Sequence, residues 1–442
     1  MSLLTLAYLL LPAVGALLAN QATDVRTARR VGAGFLAAAT LIASTAPVSL
    51  LLAADDPLWA LSKVASRDPA LAWAPAFVSL VSFVAVAMTP AVGTRPASIA
   101  RMMAVAAAAG GVVAMPHPAV VAIAWALGAV PVWLELRRAS ERGASARMFA
   151  LYMLPSAGLV ASGCFLLSDG GTLTGFVVLT VGLAIREAVM PLHSWLLAAV
   201  DDAPMGLVVA FVAPQIGVAV HLSQNDILPS AGVGEAMAII SALTAVGAAF
   251  MGVFQSNARR AVAYLFISQS GLVGVGLETS SEVARAGATL TWMAVGLASA
   301  GFAMALSALE ARRGRQSLER PAGSLAETPR LAAAFLVLGL ASVGLPATVG
   351  FVAEDLLMQG TVGQFPSLGL MMVAATALNG VTVVKAFFAL FNGTPARNPK
   401  QDLLGRERLV LSLVLACLVG LGLAPALATR ATGPSHAATR SE

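Results

Sequence analysis

Two basic residues, Arg186 and Lys385, lie where the amino-acid sequence is otherwise strongly apolar. The chain has 27 Lys and Arg residues, and the other 25 fall in predicted loops, at the ends of apolar segments or in the C-terminal tail. A cation at the centre of a bilayer costs about 2.5–3.5 kcal/mol on insertion scales, so it indicates a functional site or a paired structural charge. Arg186 could set the electric field along an ion path; the alternative is an arginine paired to stabilise the fold.

Polar residues accompany Arg186 at a point where a helix must break. Glu187 follows it directly, and on a helix its side chain would point about 100° away, toward a different neighbour. Pro191 then removes a backbone hydrogen bond and breaks the helix. His193 lies just beyond. An imidazole has an ordinary pKa of about 6.5 and can therefore carry protons. Its alternative role is to cap a helix at the membrane interface.

A second apolar run is interrupted in the same way. Gly344 and Pro346 break it, and Glu354 and Asp355 follow. A carboxylate buried in a membrane protein can carry protons, whereas the alternative is a solvated helix end. Lys385 lies in the next span. It could belong to one polar axis through the membrane together with Arg186 and these carboxylates, form a structural ion pair or extend its ammonium group to the interface.

The composition requires that membrane helices position these residues. Of the 442 residues, 58% are hydrophobic and 11% charged, and the mean hydropathy is +0.84, which excludes a soluble globular protein. Apolar segments long enough to span a bilayer as helices recur along the chain. They begin near Leu3, Val31, Ala70, Ile99, His117, Arg147, Leu173, Pro204, Gly234, Ala261, Ala284, Leu331, Ser367 and Arg408. The sequence therefore predicts an all-α polytopic membrane protein with about fourteen transmembrane helices, as a single bundle over residues 1–428 with a disordered tail, 429–442.

The two interruptions fall in the predicted seventh and twelfth helices. Irregular backbone at membrane depth is tolerated only where protein or a water-filled cavity satisfies its polar groups. Ionisable residues beside such breaks, at corresponding positions of two halves, are typical of transport paths built on inverted repeats. We therefore predict two inverted five-helix repeats, roughly residues 99–222 and 234–391. Kinks without a transport role are the alternative.

The positive charges predict the orientation of the bundle. Six alternate loops hold 20 of the Lys and Arg residues, whereas the loops on the opposite side hold only Lys63, Arg67 and Arg285. Cytoplasmic loops carry the excess of Lys and Arg, so the first set is predicted to be cytoplasmic and both termini external. The basic residues form no separate domain, which argues against a nucleic-acid partner. The expected location is a bacterial-type inner (cytoplasmic) membrane, crossed many times.

Nothing in the sequence predicts chemistry by this chain alone. Cys164 and Cys417 lie in apolar segments with no Cys or His at ligand spacing, which favours two buried thiols over a disulfide or a metal site. The sequence has no glycine-rich loop after a strand, no cysteine cluster for iron–sulfur ligation and no metal motif. We therefore expect no catalytic residue, cofactor or metal here, and assign any redox or hydration chemistry to partner subunits.

Three stretches, in chain order, resemble the motifs of one membrane-protein family. Arg186 to Leu196, REAVMPLHSWL, is similar to Lys-x-x-x-x-Pro-x-His-x-Trp-Leu-Pro. Gln255 to Gly271, QSNARRAVAYLFISQSG, is similar to Gln-x-Asp-x-Lys-Arg-x-x-Ala-Tyr-Ser-x-Ile-Ser-Gln-x-Gly. Gly344 to Glu354, GLPATVGFVAE, resembles Gly-Leu-Pro-Pro-x-x-Gly-Phe-x-x-Lys/Glu. The motifs are those of the proton-conducting membrane transporters: antiporter-like subunits of respiratory complex I, membrane-bound hydrogenases and Mrp-type sodium/proton antiporters.

The sequence departs from this family at its ionisable positions. The family's Trp-Glu pair of the fifth helix is Trp125-Ala126 here, and Glu135, about 13 Å further along the helix, is too distant to replace that carboxylate. Arg186 occupies the position of a lysine that can release its proton, whereas arginine stays charged. Two further basic positions of the family are neutral here, at Val209-Ala210 and Ser299. These departures indicate a degenerate member, or one adapted to a different partner.

The resemblance implies an antiporter-like, proton-translocating membrane subunit of a multi-subunit complex, coupled to a partner's redox chemistry. The complex would be of the NADH:quinone oxidoreductase or hydrogenase type, with other membrane and peripheral subunits, the lipid bilayer and protons as partners. The proton path would run from Arg186 through His193 and Glu354 to Lys385, with His193, Glu354 or Asp355 as titrating groups. Two alternatives stay open: the membrane subunit of a proton-driven inorganic-carbon uptake system with a zinc-enzyme partner, and a non-conducting scaffold, which Ala126 favours.

Cysteine labelling in intact cells tests the predicted orientation. With Cys164 and Cys417 replaced by alanine, a cysteine placed at Arg320, in the predicted cytoplasmic loop 312–330, should react with a membrane-impermeant maleimide only after the membrane is opened. Arg67→Cys, on the opposite side, should react without that treatment. Labelling of Arg320→Cys from outside would overturn the orientation.

Overall fold

The computed structural model shows a bundle of helices. It describes residues 3–51, 69–115, 117–139, 143–168, 173–223, 231–394 and 401–425. The predicted tail, 429–442, and the loop with Lys63 and Arg67 lie outside these ranges. Within the described ranges, the only regular structure besides α-helix is a 3₁₀ turn at Pro69–Ala72 and an isolated β-bridge between Asn257 and Ser317. The predicted all-α class is confirmed.

The helices form because long apolar runs can satisfy their backbone hydrogen bonds internally, as a membrane interior requires. In chain order they are α1 Leu3–Gln21, α2 Val25–Ala43, α3 Thr45–Leu51, α4 Ala74–Met88, α5 Pro96–Ala114, α6 Pro118–Ala139, α7 Ala144–Ser168, α8 Leu173–Arg186, α9 Ser194–Asp202, α10 Met205–Val212, α11 Ile216–Leu222, α12 Ala231–Val253, α13 Ala258–Glu278, α14 Glu282–Arg313, α15 Pro329–Ala341, α16 Val349–Val362, α17 Pro366–Phe391 and α18 Gly405–Leu423. Proline lies in the first turn of α4, α5, α15 and α17, where its missing N–H removes no helical hydrogen bond.

The helices have the length and composition of a multi-pass membrane protein. Ten helical segments among the described residues are long and apolar enough to cross a membrane, and α4, α8 and α15 are shorter apolar helices. Helix α14 lies at the centre of the bundle, since 94% of its most apolar window is buried, against 28% for α1 and α7. The membrane architecture is confirmed, whereas the total of about fourteen spans and the limits of the inverted repeats remain predictions.

Helices α14 and α16 approach each other backbone to backbone. A Cβ atom at Gly287 would overlap the backbone nitrogen of Leu357, and one at Gly360 would overlap that of Ala284. Small residues permit such close contacts between membrane helices, which gain stability from van der Waals packing rather than from exclusion of water. These two glycines therefore fix the position of α16, the second half of a broken span, against the central helix.

Among the described residues, three spans are broken near their middle. The breaks separate α8 from α9, α10 from α11 and α15 from α16. Each break contains a non-glycine residue with a left-handed backbone: Ala188, Gln215 and Ala347, at φ of 58°, 39° and 71°. Such conformations cost about 1–3 kcal/mol each and persist only where the surroundings hold them. The predicted breaks in the seventh and twelfth helices are confirmed, and the break between α10 and α11 is additional.

A buried ion pair stabilises the predicted cytoplasmic side. Arg259 is 8% exposed, and its Nη2 and Nε atoms lie 2.6 and 2.7 Å from Oε2 of Glu310. Its Nη1 also donates to two backbone carbonyl oxygens near the end of α9, at 3.0 and 2.9 Å. The next residue, Arg260, pairs with Asp201 at 2.6 Å, but the Arg260 side chain is 48% exposed. Arg259 thus joins α13, α14 and the end of α9, while Arg260 lies on the surface.

Arg259→Ala should destabilise the protein far more than Arg260→Ala. The first substitution leaves the Glu310 carboxylate buried and unpaired, which costs about 3–5 kcal/mol, whereas loss of an exposed pair costs about 0–1 kcal/mol. Thermal unfolding in detergent, followed by the fluorescence of the buried tryptophans, measures the difference. Equal shifts of the unfolding temperature in the two variants would contradict the structural role of Arg259.

Candidate functional site

Arg186 is the last residue of α8, and its guanidinium group lies against two aromatic rings. The residue is 5% exposed, and Cζ lies 4.0 Å from the ring centre of Phe211 and 4.6 Å from that of Trp125. Nη1 donates to the carbonyl oxygen of Trp125 at 3.4 Å. A cation–π contact is worth about 2 kcal/mol or more when the cation is desolvated. The rings therefore stabilise the charge without neutralising it.

The two rings are themselves held by hydrogen bonds and aromatic contacts. Trp125 Nε1 donates to Ser156 Oγ at 3.0 Å, and that hydroxyl donates to a carbonyl oxygen of α8 at 2.7 Å. Phe211 packs edge-on against Trp195, with ring centres 5.8 Å apart. Trp195 Nε1 donates to the carbonyl oxygen of Ile185 at 2.9 Å, at the point where α8 ends. The tryptophan of the first motif thus joins α9 to α8 across the break and supports the cation site.

The carboxylate missing at Ala126 is not supplied from elsewhere on α6. Glu135, nearer the end of the helix, pairs with Arg101 and accepts a hydrogen bond from Ser98 at 2.8 Å. In the part of the chain that the structure describes, no salt bridge joins Arg186 to another residue. The expectation that Glu135 cannot replace the missing carboxylate is confirmed.

Glu187 contacts a different helix from its neighbour. Its Oε1 atom accepts a hydrogen bond from the backbone N–H of Gly217, in the first turn of α11, at 3.0 Å. A Cβ atom at Gly217 would lie 2.6 Å from the same oxygen, so a larger residue would displace the carboxylate. The predicted orientation of Glu187 toward another helix is confirmed. The carboxylate therefore lies between the breaks of two spans.

Glu354 and Asp355 lie in different environments although they are adjacent. Glu354 approaches the break before α16, where a Cβ atom at Gly344 would lie 2.5 Å from Oε2. Gly344 has φ of +80°, so both its backbone conformation and this contact require glycine. Asp355 is exposed on the surface of the bundle and accepts a hydrogen bond from Gln359 Nε2 at 2.7 Å. The structure separates the predicted pair into one interior and one surface carboxylate.

Helix α14 connects the breaks of the eighth and twelfth spans at one depth. Trp292 Nε1 donates to the carbonyl oxygen of Pro214, in the break between α10 and α11, at 2.8 Å. Helix α14 also contacts α16. Gly287 of α14 lies against the backbone of Leu357, and a Cβ atom at Gly350 of α16 would lie 4.0 Å from the Cβ atom of Ala294. Because α14 and α16 are antiparallel, these contacts place the residues between 287 and 294 level with Glu354. The two breaks and this carboxylate therefore form one layer of the bundle.

Several buried polar atoms around this layer have no hydrogen-bond partner among the described residues. They are His193 Nδ1, Gln215 Oε1, both side-chain polar atoms of Gln269, Thr291 Oγ1, Ser299 Oγ and Glu354 Oε1. Buried polar atoms in proteins are as a rule hydrogen-bonded to protein or to water, and water enters cavities that are polar and roomy enough. The broken spans and the helices between them thus enclose a polar interior suited to water.

His193 and Lys385 lie toward the predicted cytoplasmic side of this layer. Lys385 Nζ donates to two carbonyl oxygens at the end of α12, at 2.6 and 3.3 Å. The ring centre of His193 lies 5.9 Å from that of Tyr264. In the described ranges, no hydrogen bond or salt bridge joins Arg186 to His193, Glu354 or Lys385. A continuous path through all four side chains remains a prediction.

Sequence reasoning missed Gln215, His221 and Glu278 as site residues. The available signal for Gln215 was Pro214, which precedes it in an otherwise apolar span. Glu278 and His221 are the ionisable residues at the ends of α13 and α11, and their side chains approach each other at 3.8 Å. Each position alone is typical of an interfacial residue, so only the packing of the two helices shows them together.

Comparisons with known proteins agree with this architecture. A family model described as NADH:quinone oxidoreductase/Mrp antiporter, transmembrane, matches residues 148–379. NADH-quinone oxidoreductase subunit M of Mycobacterium tuberculosis is 27% identical over 257 residues, which cover 57% of this chain and 46% of the relative. The chain spans about half the length of the curated relatives it matches.

Chains of two solved membrane complexes have the same fold. One belongs to respiratory complex I from Thermus thermophilus, with a TM-score of 0.82 and 20% identity over 97% of this chain and 99% of that chain. The other belongs to the Mrp complex from Dietzia sp., with a TM-score of 0.77 and 17% identity over 98% and 97% of the two chains. Since the family model matches just over half of the 442 residues, and the fold agrees along nearly the whole chain, this protein belongs to the NADH:quinone oxidoreductase/Mrp antiporter family of membrane proteins.

Proposed function

We propose that this chain is an antiporter-like, proton-translocating subunit of a multi-subunit complex in a bacterial-type inner membrane, coupled to the redox chemistry of a partner. The observation that carries the proposal is the position of two interior carboxylates, Glu187 and Glu354, beside two helix breaks. Ionisable groups inside a membrane protein mark ion paths or buried pairs, and broken spans bearing such groups line transport paths. Family membership and the bacterial relatives support this assignment.

In this proposal Arg186 sets the electric field along the path and does not transfer a proton. A guanidinium group stays protonated, unlike a buried lysine. The rings of Trp125 and Phe211 hold the charge in one place. Because like charges repel, a fixed positive charge at the break determines where an excess proton can reside. Protons then pass at Glu187, which is oriented toward α11, and at Glu354, with His193 on the cytoplasmic side.

The surface carboxylate Asp355 supports assembly with another membrane subunit. It lies within α16, six residues after the start of the helix, and is exposed. A charge facing lipid near the bilayer centre costs about 2.5–3.5 kcal/mol, so membrane proteins cover or pair such groups. Only Gln359 contacts it through a hydrogen bond in the described chain. A polar or basic group of a neighbouring subunit would complete this face.

A non-conducting scaffold is the second candidate function. The cation site favours it, because Arg186 is enclosed by aromatic rings and Ala126 occupies the position of the family's carboxylate. A site of this kind can fix the helices without moving protons. Proton flux distinguishes the two candidates, since the scaffold needs the shape of Glu354 but not its titration.

Proton flux into vesicles that contain the full complex should depend on two residues. Arg186→Lys should keep much of the flux because the charge is retained, whereas Arg186→Ala should abolish it. Glu354→Gln should also abolish it, since the amide keeps the shape but cannot titrate. Arg260→Ala, on the surface, is the control and should leave flux unchanged. Flux at the native level in both Arg186→Ala and Glu354→Gln would reject the conduction path through this chain and favour the scaffold.

The tagged chain should co-purify with at least one other membrane subunit, and the isolated chain should show no redox or hydrolytic turnover. Asp355→Lys should reduce the recovered partner several-fold, because it reverses the charge on the proposed contact face. Glu282→Lys, at the exposed start of α14, is the matched control. Quantitative mass spectrometry of the purified complexes measures the ratio. Turnover by the chain alone, or equal partner recovery with both variants, would count against this assignment.

A further inference from the structure

A cavity of about 280 Å³ lies between α8, α11, α12 and α13. It is lined mainly by apolar side chains, but three ionisable residues open into it: Glu187, His221 and Glu278. The hydroxyl-bearing residues Thr180, Ser241 and Ser270 also line it. A cavity of this volume, with polar groups on several walls, has room for several water molecules. The positions of Glu187, His221 and Glu278 along their helices show which parts of the bundle the cavity connects.

The three ionisable groups are arranged from the layer of helix breaks toward the predicted outer surface. Glu187 is bonded to Gly217 in the first turn of α11. His221 lies four residues further along the same helix, about 6 Å closer to the outer end. Glu278 is the last residue of α13, which ends on the same side. The cavity thus leads from an interior carboxylate to the outer ends of two spans.

His221 and Glu278 form an incomplete pair. Nδ1 of His221 lies 3.8 Å from Oε1 of Glu278, and the two side chains are 12% and 7% exposed. The other carboxylate oxygen of Glu278 is buried and has no hydrogen-bond partner among the described residues. The imidazole ring also packs edge-on against Phe176, with ring centres 5.7 Å apart. A purely structural ion pair would be expected to satisfy both oxygens. The oxygen without a protein partner belongs to a residue that lines the cavity, so a water molecule inside the cavity is its available partner.

We propose that this cavity is the outer half of the proton path, in which Glu187, His221 and Glu278 exchange protons through water between the interior layer and the outer surface. The inference rests on the proposed function, since it names the route by which the same subunit would reach the outside. It differs from the path expected from the sequence, which followed His193, Glu354 and Lys385. It assigns roles to two residues, His221 and Glu278, that lie outside the family motifs.

Protons balance at each step of this relay. In the outward direction, protonated Glu187 gives its proton to a cavity water, and the water passes a proton to the imidazole of His221. The imidazolium gives its Nδ1 proton to Glu278, returns to the neutral form, and Glu278 releases the proton to water outside. The 3.8 Å between Nδ1 and Oε1 is longer than a hydrogen bond, which spans about 2.7–3.2 Å between donor and acceptor. A side-chain rotation or one bridging water therefore completes the transfer. The inward direction reverses these steps.

Cysteine accessibility tests whether water reaches the cavity, independently of proton flux. In the complex with Cys164 and Cys417 replaced by alanine, Ser241→Cys should react with a small, charged thiol reagent added from the outer side. Ala242→Cys is the matched control, since Ala242 is the next residue on α12 and is buried outside the cavity. Equal protection of both cysteines would show that the cavity does not open to the outside and would overturn the inference.

Proton flux in vesicles tests the relay itself. His221→Gln and Glu278→Gln keep hydrogen-bonding groups but cannot titrate, so each should lower the flux by about tenfold or more. Glu278→Asp should restore much of the flux, because it restores a titrating carboxylate. Glu282→Gln, a nearby acidic residue that does not line the cavity, should leave the flux unchanged. The amount of assembled complex, measured for every variant, separates loss of relay from loss of folding.

The outcomes for the relay and for the proposed function are distinguishable. Loss of flux in Glu354→Gln with full flux in both His221→Gln and Glu278→Gln would reject the relay and leave proton translocation standing. Absence of flux in the native complex would reject both, even if Ser241→Cys is labelled. Labelling at Ser241→Cys, together with loss of flux in the two glutamine variants and recovery in Glu278→Asp, is the result expected.

Discussion

The structure depends on satisfying the backbone groups that three broken helices release inside a membrane. An unsatisfied backbone polar group costs several kcal/mol in hydrocarbon, so a break survives only where the protein supplies partners. Trp195 donates to the carbonyl oxygen of Ile185, and Trp292 donates to that of Pro214. Glu187 accepts the N–H of Gly217. Two indoles and one carboxylate thus stabilise two of the three breaks, the one after α8 and the one between α10 and α11.

The cation site shows how a departure from the family pattern is accommodated. At the position where the family has a glutamate on the fifth helix, Ala126 leaves no carboxylate to hold a buried lysine in its charged form. Arginine keeps its proton without such a partner, and the faces of Trp125 and Phe211 stabilise it by cation–π contact. The two substitutions, at 126 and 186, are therefore compatible with each other. The charge at Arg186 is constant, so in the proposed function other groups transfer the proton, among them the neighbouring Glu187.

Features that depend on one helix could be predicted from the sequence. Hydropathy predicted the spans, and Pro191 and the Gly344–Pro346 segment predicted two of the three breaks, because proline removes a helical hydrogen bond and ionisable residues lie beside both. Proline alone was not sufficient, since α1, α6 and α7 continue through Pro12, Pro131 and Pro155. The break at Pro214 was missed because the surrounding run is apolar and contains no charged residue. The periodicity of an α-helix was sufficient to predict that Glu187 would face a different helix from its neighbour.

Features that depend on contacts between distant helices could not be predicted. The aromatic partners of Arg186 come from positions 125 and 211, and aromatic residues are too common in membrane helices to indicate such a role. The separation of Glu354 from Asp355 depends on the rotation of α16 about its axis, which is fixed by glycine contacts with α14. Lys385 finds its partners in backbone carbonyl oxygens at the end of α12, which no side-chain pattern encodes. The limits of the inverted repeats and the full proton path remain predictions.

The contact between α14 and α16 has a mechanical consequence. At Gly287 and Gly360 no side chain separates the two backbones, so a displacement of either helix at these positions acts directly on the other. Helix α14 is continuous over 32 residues, a length of about 48 Å, and near its far end Glu310 holds Arg259. The break before α16 is then the point where this pair of closely packed helices joins the rest of its span. Because no flexible side chain separates the helices at these two glycines, a displacement of α16 would be passed through α14 to the charged loops on the opposite face of the membrane.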